Sequence, residues 1–383
     1  MTTRLPRAWI AAALVCLGAA HVATRAAAPL AYEWRLPRGF PTPKLPDDNP
    51  MSAPKVELGR HLFYDTRLSG TGTFSCATCH QQARAFADDK PRGVGETGQV
   101  HPRGAMSLAN VAYAPVLTWA NPSVTSLEQQ ALAPMFGTTP VELGLAGQEQ
   151  ALLSRLGAEP VYRRLFPESF PDDAAPLTVR NITKALAAFE RTLMSGTAPY
   201  DRYRTMLDAS AISPAAHRGE DLFFSDQIGC FNCHSGFNFT NAVDFEKRAP
   251  RAVEFHNTGL YNVDGHGAYP APNTGVHAVT GRASDMGRFK PPTLRNISLT
   301  APYMHDGSMK TLDEVLSFYA AGGRVVASGT NAGDGTKSPL RSAFIKGFAL
   351  SPEDRADLIA FLESLTDTAF TKDPRFSNPW PAH

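Results

Sequence analysis

Cys76-Ala77-Thr78-Cys79-His80 and Cys230-Phe231-Asn232-Cys233-His234 are two copies of one pattern, Cys-x-x-Cys-His. In each copy two thiols can add to the vinyl groups of a porphyrin while the adjacent imidazole ligates its iron from one face, so the pattern is that of a covalently attached c-type haem. A zinc site built from the same four thiols is the alternative. Zinc ribbons set their cysteine pairs roughly 15–20 residues apart and need no histidine after each second cysteine. Two haems is the reading that uses all six residues. His80 and His234 are then iron ligands, and Cys76, Cys79, Cys230 and Cys233 the points of attachment.

The fifth cysteine, Cys16, lies in a segment that reads as a signal peptide over residues 1–28. Arg4 and Arg7 supply positive charge, an apolar run follows from Ala8 to Ala20, and Ala26-Ala27-Ala28 offers small residues for cleavage. Leu14 and Val15 argue against a lipid anchor at Cys16, whereas an uncleaved N-terminal anchor stays open. No other stretch is long and apolar enough to span a bilayer. Covalent haem assembly on an exported chain with no spare thiol points to the periplasm. With 383 residues, 43% of them hydrophobic, and a formal charge of +1, the chain can bury ordinary cores and gives no electrostatic reason to bind nucleic acid or a membrane surface.

Elements that would position the motifs are legible around them. Pro54 to Tyr64 and Pro214 to Phe224 both read as short helices entered through proline, each carrying Gly-x-x-Leu-Phe shortly before its haem cysteines. Ser213 is the expected N-cap of the second. Ser351 to Asp354 opens a closing helix that carries Leu358, Ile359, Phe361 and Leu362, and Val179 to Leu193 carries Ile182, Leu186, Phe189 and Leu193 at helical spacing. The expected fold is mainly α, with two cytochrome c-like haem domains and long irregular loops. The first spans residues 29–207 and the second 208–383, with the tail packing back on the first. Phe237 to Lys290 has few helix signals and holds His256, His266 and His277, each open as a distal ligand or a surface residue.

Asn110 to Leu143 and Pro291 to Gly307, together with the two haem motifs, resemble the bacterial dihaem cytochrome c peroxidase and MauG superfamily. The likeness runs from about Met51 to Leu365 and most resembles the MauG-like branch that includes MbnH. It implies roles for particular residues. Trp119 matches a tryptophan between the two haems, where an oxidisable indole relays electrons or shares a hole. Gln130, Pro134 and Glu142 match the distal pocket of the first haem, with Glu142 the acid–base group. A carboxylate there can take a proton from one peroxide oxygen and return it to the other. Glu96 stands where many family members have a distal histidine, which favours an open resting site, though His101 is close in sequence. Tyr319 matches the sixth ligand of the second haem in the MauG-like branch; ordinary members use methionine, for which Met286, Met304 and Met309 are candidates. An anionic phenolate favours oxidised iron.

A calcium ion is a further family feature, with Thr300 and Pro302 matching its backbone-oxygen ligands. The usual asparagine is missing, since Gly104 stands in its place. The resemblance implies an oxidase that uses hydrogen peroxide to reach a bis-Fe(IV)-type state and oxidises a side chain of a periplasmic partner at long range. In the MbnH-like branch this is tryptophan to kynurenine on an MbnP-like copper-binding protein. The surface tryptophan that carries the hole outward in MauG is replaced by Ile228, so the exit route differs. The alternative is a conventional dihaem peroxidase fed by a small electron-donor protein. A plain dihaem electron carrier is the third reading, and it has no use for Glu142.

Overall fold

Each Gly-x-x-Leu-Phe segment lies where two helices cross, and its glycine is what lets them meet. Gly59 on the helix Ala53–Tyr64 faces the helix Val179–Glu190 so closely that a Cβ would fall 1.9 Å from the carbonyl oxygen of Ala185. Gly219 on Pro214–Phe223 meets Pro352–Ser364 in the same way, a Cβ there falling 2.0 Å from the carbonyl oxygen of Asp357. Four residues on, each copy places a phenylalanine against a phenylalanine of the partner helix. Phe63 and Phe189 have ring centroids 5.2 Å apart, and Phe223 and Phe361 5.1 Å.

The helix starts follow from local chemistry. Ser52 accepts from the Lys55 N–H at 3.4 Å and Ser213 from the Ala216 N–H at 3.1 Å, each with proline in the first turn. A hydroxyl at that place satisfies a backbone donor that the helix cannot, and proline lacks a donor where none is needed. Thr178 caps Val179–Glu190 through the Asn181 N–H, and Ser351 forms a reciprocal box with Asp354. These helices stand where the sequence placed them.

The computed structural model describes residues 1–2, 32–249 and 251–381. The signal-peptide reading, with Cys16, lies outside them. Among the described residues the fold is mainly α. The only strands there are two antiparallel two-residue pairs, His256–Asn257 with Arg288–Phe289 and Val325–Val326 with Gly333–Asp334. No described helix is long and apolar enough to cross a membrane.

Tyr32–His383 forms one compact unit that contains two apolar cores. The first gathers Leu58, Leu62, Phe63, Ile182, Leu186, Phe189 and Leu193, and the tail joins it through Phe370 and Phe376. The second gathers Phe223, Phe239, Leu316, Leu358 and Phe361. Each such side chain taken from water stabilises by roughly 1.5–3 kcal/mol. A buried polar web links segments from both cores. Asn110 donates to the Ser195 carbonyl at 2.8 Å and to Asn238 Oδ1 at 3.0 Å. Asn296 donates to Ser195 Oγ at 2.9 Å, and Asp367 accepts from the Gly196 and Thr197 N–H groups at 3.0 and 2.9 Å. Such groups are costly to bury unless paired, and here the pairs hold the two cores in register.

Candidate haem sites and catalytic pocket

Cys76–Cys79 forms a single helical turn that ends at His80. His80 Nδ1 donates to the Phe86 carbonyl at 2.8 Å, which fixes the ring and commits Nδ1–H. The Nε2 lone pair is left for a metal, the arrangement expected of an iron-ligating histidine. Burial holds the imidazole below its ordinary range and so neutral, as a ligand must be. Burial also pushes both thiols up, Cys79 to about 11, helped by Asp88 and Glu142. Glu142 acts on Cys76 as well, so its carboxylate lies within electrostatic reach of the whole first motif.

Gln130 and Pro134 lie one turn apart on the helix Leu127–Phe136, both half-buried. The returning chain is strapped to the end of that helix: Leu143 N–H donates to the Pro134 carbonyl at 2.9 Å, and Leu145 N–H to the Met135 carbonyl at 3.0 Å. Glu142 is therefore set in a fixed loop beside Pro134, well before the next helix, Glu149–Ala158. Burial raises its carboxyl above the usual range, although 36% of its side chain meets solvent. Glu96 turns elsewhere, accepting from Thr71 N–H and Oγ1, both at 2.9 Å. The histidine that approaches is His101, with Nε2 4.0 Å from Glu142 Oε1.

His234 repeats the arrangement of His80. Its Nδ1 lies 3.2 Å from the Phe239 carbonyl and 3.1 Å from that of Pro292, and burial pushes the imidazole down to about 4. It shares a cavity of about 350 Å³ with Cys230, Cys233 and Tyr319, walled by Leu312, Leu316, Leu358 and Leu362. Tyr319 projects from the helix Leu312–Ala320. Burial, with Cys233 and Cys230 close by, raises its phenol well above the ordinary value. A bound ferric ion would reverse that shift and favour the phenolate. Met304 lines the same cavity; Met286 and Met309 are not among its walls. Ile228, 8% exposed, also lines it and offers no surface aromatic.

Trp119 lies on this cavity wall and is held from both halves. Its Nε1–H donates to the Gly104 carbonyl at 3.0 Å, and its own carbonyl accepts from Lys290 N–H at 2.8 Å. Of the three histidines left open by the sequence, His256 lines the cavity, with a buried Nε2 that has no hydrogen-bond partner, while His266 is exposed and His277 is tied to the Arg282 carbonyl. Sequence reasoning missed two further groups there. His305, 5% exposed, stacks on Phe289 with centroids 3.7 Å apart and has an unpartnered Nε2. Lys290, 5% exposed, donates to the Val116 carbonyl at 2.5 Å and is pushed down to about 8 by burial. No local signal marks either one, because both are defined by contacts distant in sequence. Such buried donors, beside two free thiols and an imidazole with its Nδ1 committed, are a set that suits an anionic porphyrin.

Thr300 and Pro302 also border the cavity. Among the described residues no group of three or more His, Cys, Asp or Glu side chains gathers to hold a metal, so a calcium ion would rest on carbonyls. Gly104 brings no side-chain oxygen, and its carbonyl is taken by Trp119.

The di-haem cytochrome c peroxidase family model matches residues 53–208. The methylamine utilization protein MauG of Methylorubrum extorquens is 36% identical over 92% of this chain and 90% of its own. The cytochrome c551 peroxidase of Pseudomonas aeruginosa is 29% identical over 86% of this chain and 82% of its own. Among solved structures, a MauG-like protein associated with microbial copper homeostasis superposes with a TM-score of 0.89 at 45% identity, covering 92% of this chain and 100% of that one.

Proposed function

Because the chain belongs to the dihaem cytochrome c peroxidase and MauG family, and is thus a haem-dependent oxidoreductase acting with peroxide, we propose that it oxidises a side chain of a partner protein at long range. His80 with Cys76 and Cys79, and His234 with Cys230 and Cys233, would hold two c-type haems, which would supply the two electrons that peroxide takes up when its O–O bond is split. Glu142 takes a proton from one peroxide oxygen and returns it to the other, which leaves as water. Its raised carboxyl suits both halves of that exchange. Gln130 orients the peroxide through its amide, and Pro134 keeps that side of the pocket free of a competing backbone donor. Trp119 spreads the oxidising equivalents between the two halves, and Tyr319 stabilises those held in the second.

The observation that carries this reading is Tyr319 on the wall of the His234 cavity. A hard phenolate favours oxidised iron and suits storage of oxidising equivalents. The likeness to a MauG-like protein associated with microbial copper homeostasis supports a partner tied to copper. Tryptophan-to-kynurenine conversion on an MbnP-like copper-binding protein is the substrate chemistry we propose from the sequence's MbnH-like resemblance. The test is to incubate the holoprotein, peroxide and an MbnP-like copper-binding protein, and to read the partner by peptide mass spectrometry. Kynurenine at one tryptophan supports the reading; an unmodified partner in the presence of consumed peroxide contradicts it.

Met304, on the same cavity wall, is the specific feature that favours a conventional peroxidase instead. In that case the thioether would ligate the second haem and a small redox protein would supply electrons. Calcium at Thr300 and Pro302 would serve either reading by fixing the loop that carries His305.

A further inference from the structure

His101 is placed with unusual care for a residue in a surface hairpin. Its N–H donates to the Gly93 carbonyl at 2.7 Å, Gly93 N–H returns to the Arg103 carbonyl, and Val94 pairs with Val100. The hairpin is then fastened to the Glu142 loop twice. Glu96 N–H donates to the Glu142 carbonyl at 2.9 Å, and Val141 N–H to Gln99 Oε1 at 3.0 Å. The outcome is His101 Nε2 at 4.0 Å from Glu142 Oε1, with 33% of the His101 side chain open to solvent.

The other ring nitrogen is unusually well served. His101 Nδ1 lies 3.1 Å from both the N–H and the carbonyl of Arg103. With a proton on Nδ1 it donates to the carbonyl; without one it accepts from the N–H. Either tautomer keeps a partner, so Nε2 can gain or lose a proton without breaking the ring's anchor. The charged groups around it are few. The hairpin contributes Arg103, which is directed to Asn273 Oδ1, and Glu96, which is occupied by Thr71; the facing loop contributes Glu142.

Proton balance shows when such a group is needed. Splitting peroxide takes a proton from one oxygen and returns it to the other, so Glu142 alone suffices for the first water. The second peroxide oxygen leaves as water only after it gains two electrons from the partner or donor and two protons from solvent. We infer that His101 is the positioning and relay residue that passes these solvent protons to Glu142. The inference rests on the proposed peroxide chemistry at Glu142 but holds for both forms of it, because peroxide reduction to two waters has the same balance in each.

The experiment compares His101→Ala and His101→Gln with the wild-type holoprotein by stopped flow, first with peroxide and then with ascorbate as electron donor. Relay predicts that oxidation by peroxide keeps its rate while the return to the resting state slows roughly tenfold or more. It also predicts that the return loses its dependence on pH below the ordinary imidazole range, where burial and Arg103 set the titration of His101, and that free imidazole restores the rate in His101→Ala. Equal slowing of both phases, or His101→Gln matching wild type, would reduce His101 to a structural prop and overturn the inference. An unchanged return would mean that Glu142 exchanges with water directly, and a changed spin state of the resting iron would make His101 a ligand instead; both also overturn it. If the wild type oxidises only after prior reduction, the MauG-like reading fails, yet the same comparison under steady turnover with ascorbate still decides the relay.

Discussion

The two haem-binding halves share a frame and differ in what their loops bring to it. Gly59 and Gly219 open the same kind of helix crossing, Phe63 and Phe223 meet the same kind of partner ring, and His80 and His234 both commit Nδ1 to backbone carbonyls. In the first half the added groups are Gln130, Pro134, Glu142 and His101, three of them polar and all four partly open to solvent. In the second they are Tyr319 and a wall of leucines, with the polar groups of Lys290, His256 and His305 on the same cavity. A duplicated frame fixes the position of the metal ligand; the loops that followed divide the labour. On the proposed function, the first half would move protons on a small oxidant and the second, through Tyr319, would hold the oxidising equivalents.

The comparison is open to attack at several points. Replacing Tyr319 by phenylalanine leaves both haems attached but removes the lasting doubly oxidised form altogether, read from the absorption spectrum after peroxide; persistence of that form would erase the assigned difference between the halves. Glu142→Gln slows oxidation by peroxide by about 10²–10⁴-fold, measured by stopped flow, whereas a rate within a factor of a few of wild type would take the proton chemistry away from the first half.

The shared frame makes its own forecast. Gly59→Ala and Gly219→Ala each force a methyl group into a backbone carbonyl and should each lower stability by roughly 1–3 kcal/mol, seen as matching shifts in urea midpoint. A large effect at one glycine alone would show that the crossings are not equivalent. One position after the paired phenylalanine the halves diverge, Glu190 in the first and Leu362 in the second. Burial pushes the Glu190 carboxyl up to about 8 from 4.5. The folded chain therefore binds more protons than the unfolded chain between those values, and this residue's contribution falls as pH rises through that window. Glu190→Gln should flatten the fall in thermal stability across it, while Leu362→Ile should leave the slope as it is.

Much of the frame was legible because its signals are local. Pro54, Ser213 and Ser351 mark helix starts by chemistry within three residues, as Ser52 and Thr178 prove to do once the structure shows their caps, and each haem motif is a pentapeptide. The Gly-x-x-Leu-Phe repeat was visible, but its purpose was not, since Gly59 and Ala185 lie far apart in the chain. The same limit explains the misses in the site. His101 beside Glu142, Lys290 at Trp119 and the stacked His305 are brought together by loops without periodicity. Ile228 was noted for lacking an indole, yet only its burial shows that the position faces the cavity rather than the surface.

The division of labour is tested most directly by titrating the purified, fully ferric protein with stoichiometric hydrogen peroxide, without prior reduction, while following the Soret and near-infrared bands. A lasting form oxidised by two electrons, with a near-infrared band that reports charge shared between the two haems, is the predicted result. No reaction until one haem has first been reduced would contradict it, and would assign the second half the role of an electron entry point.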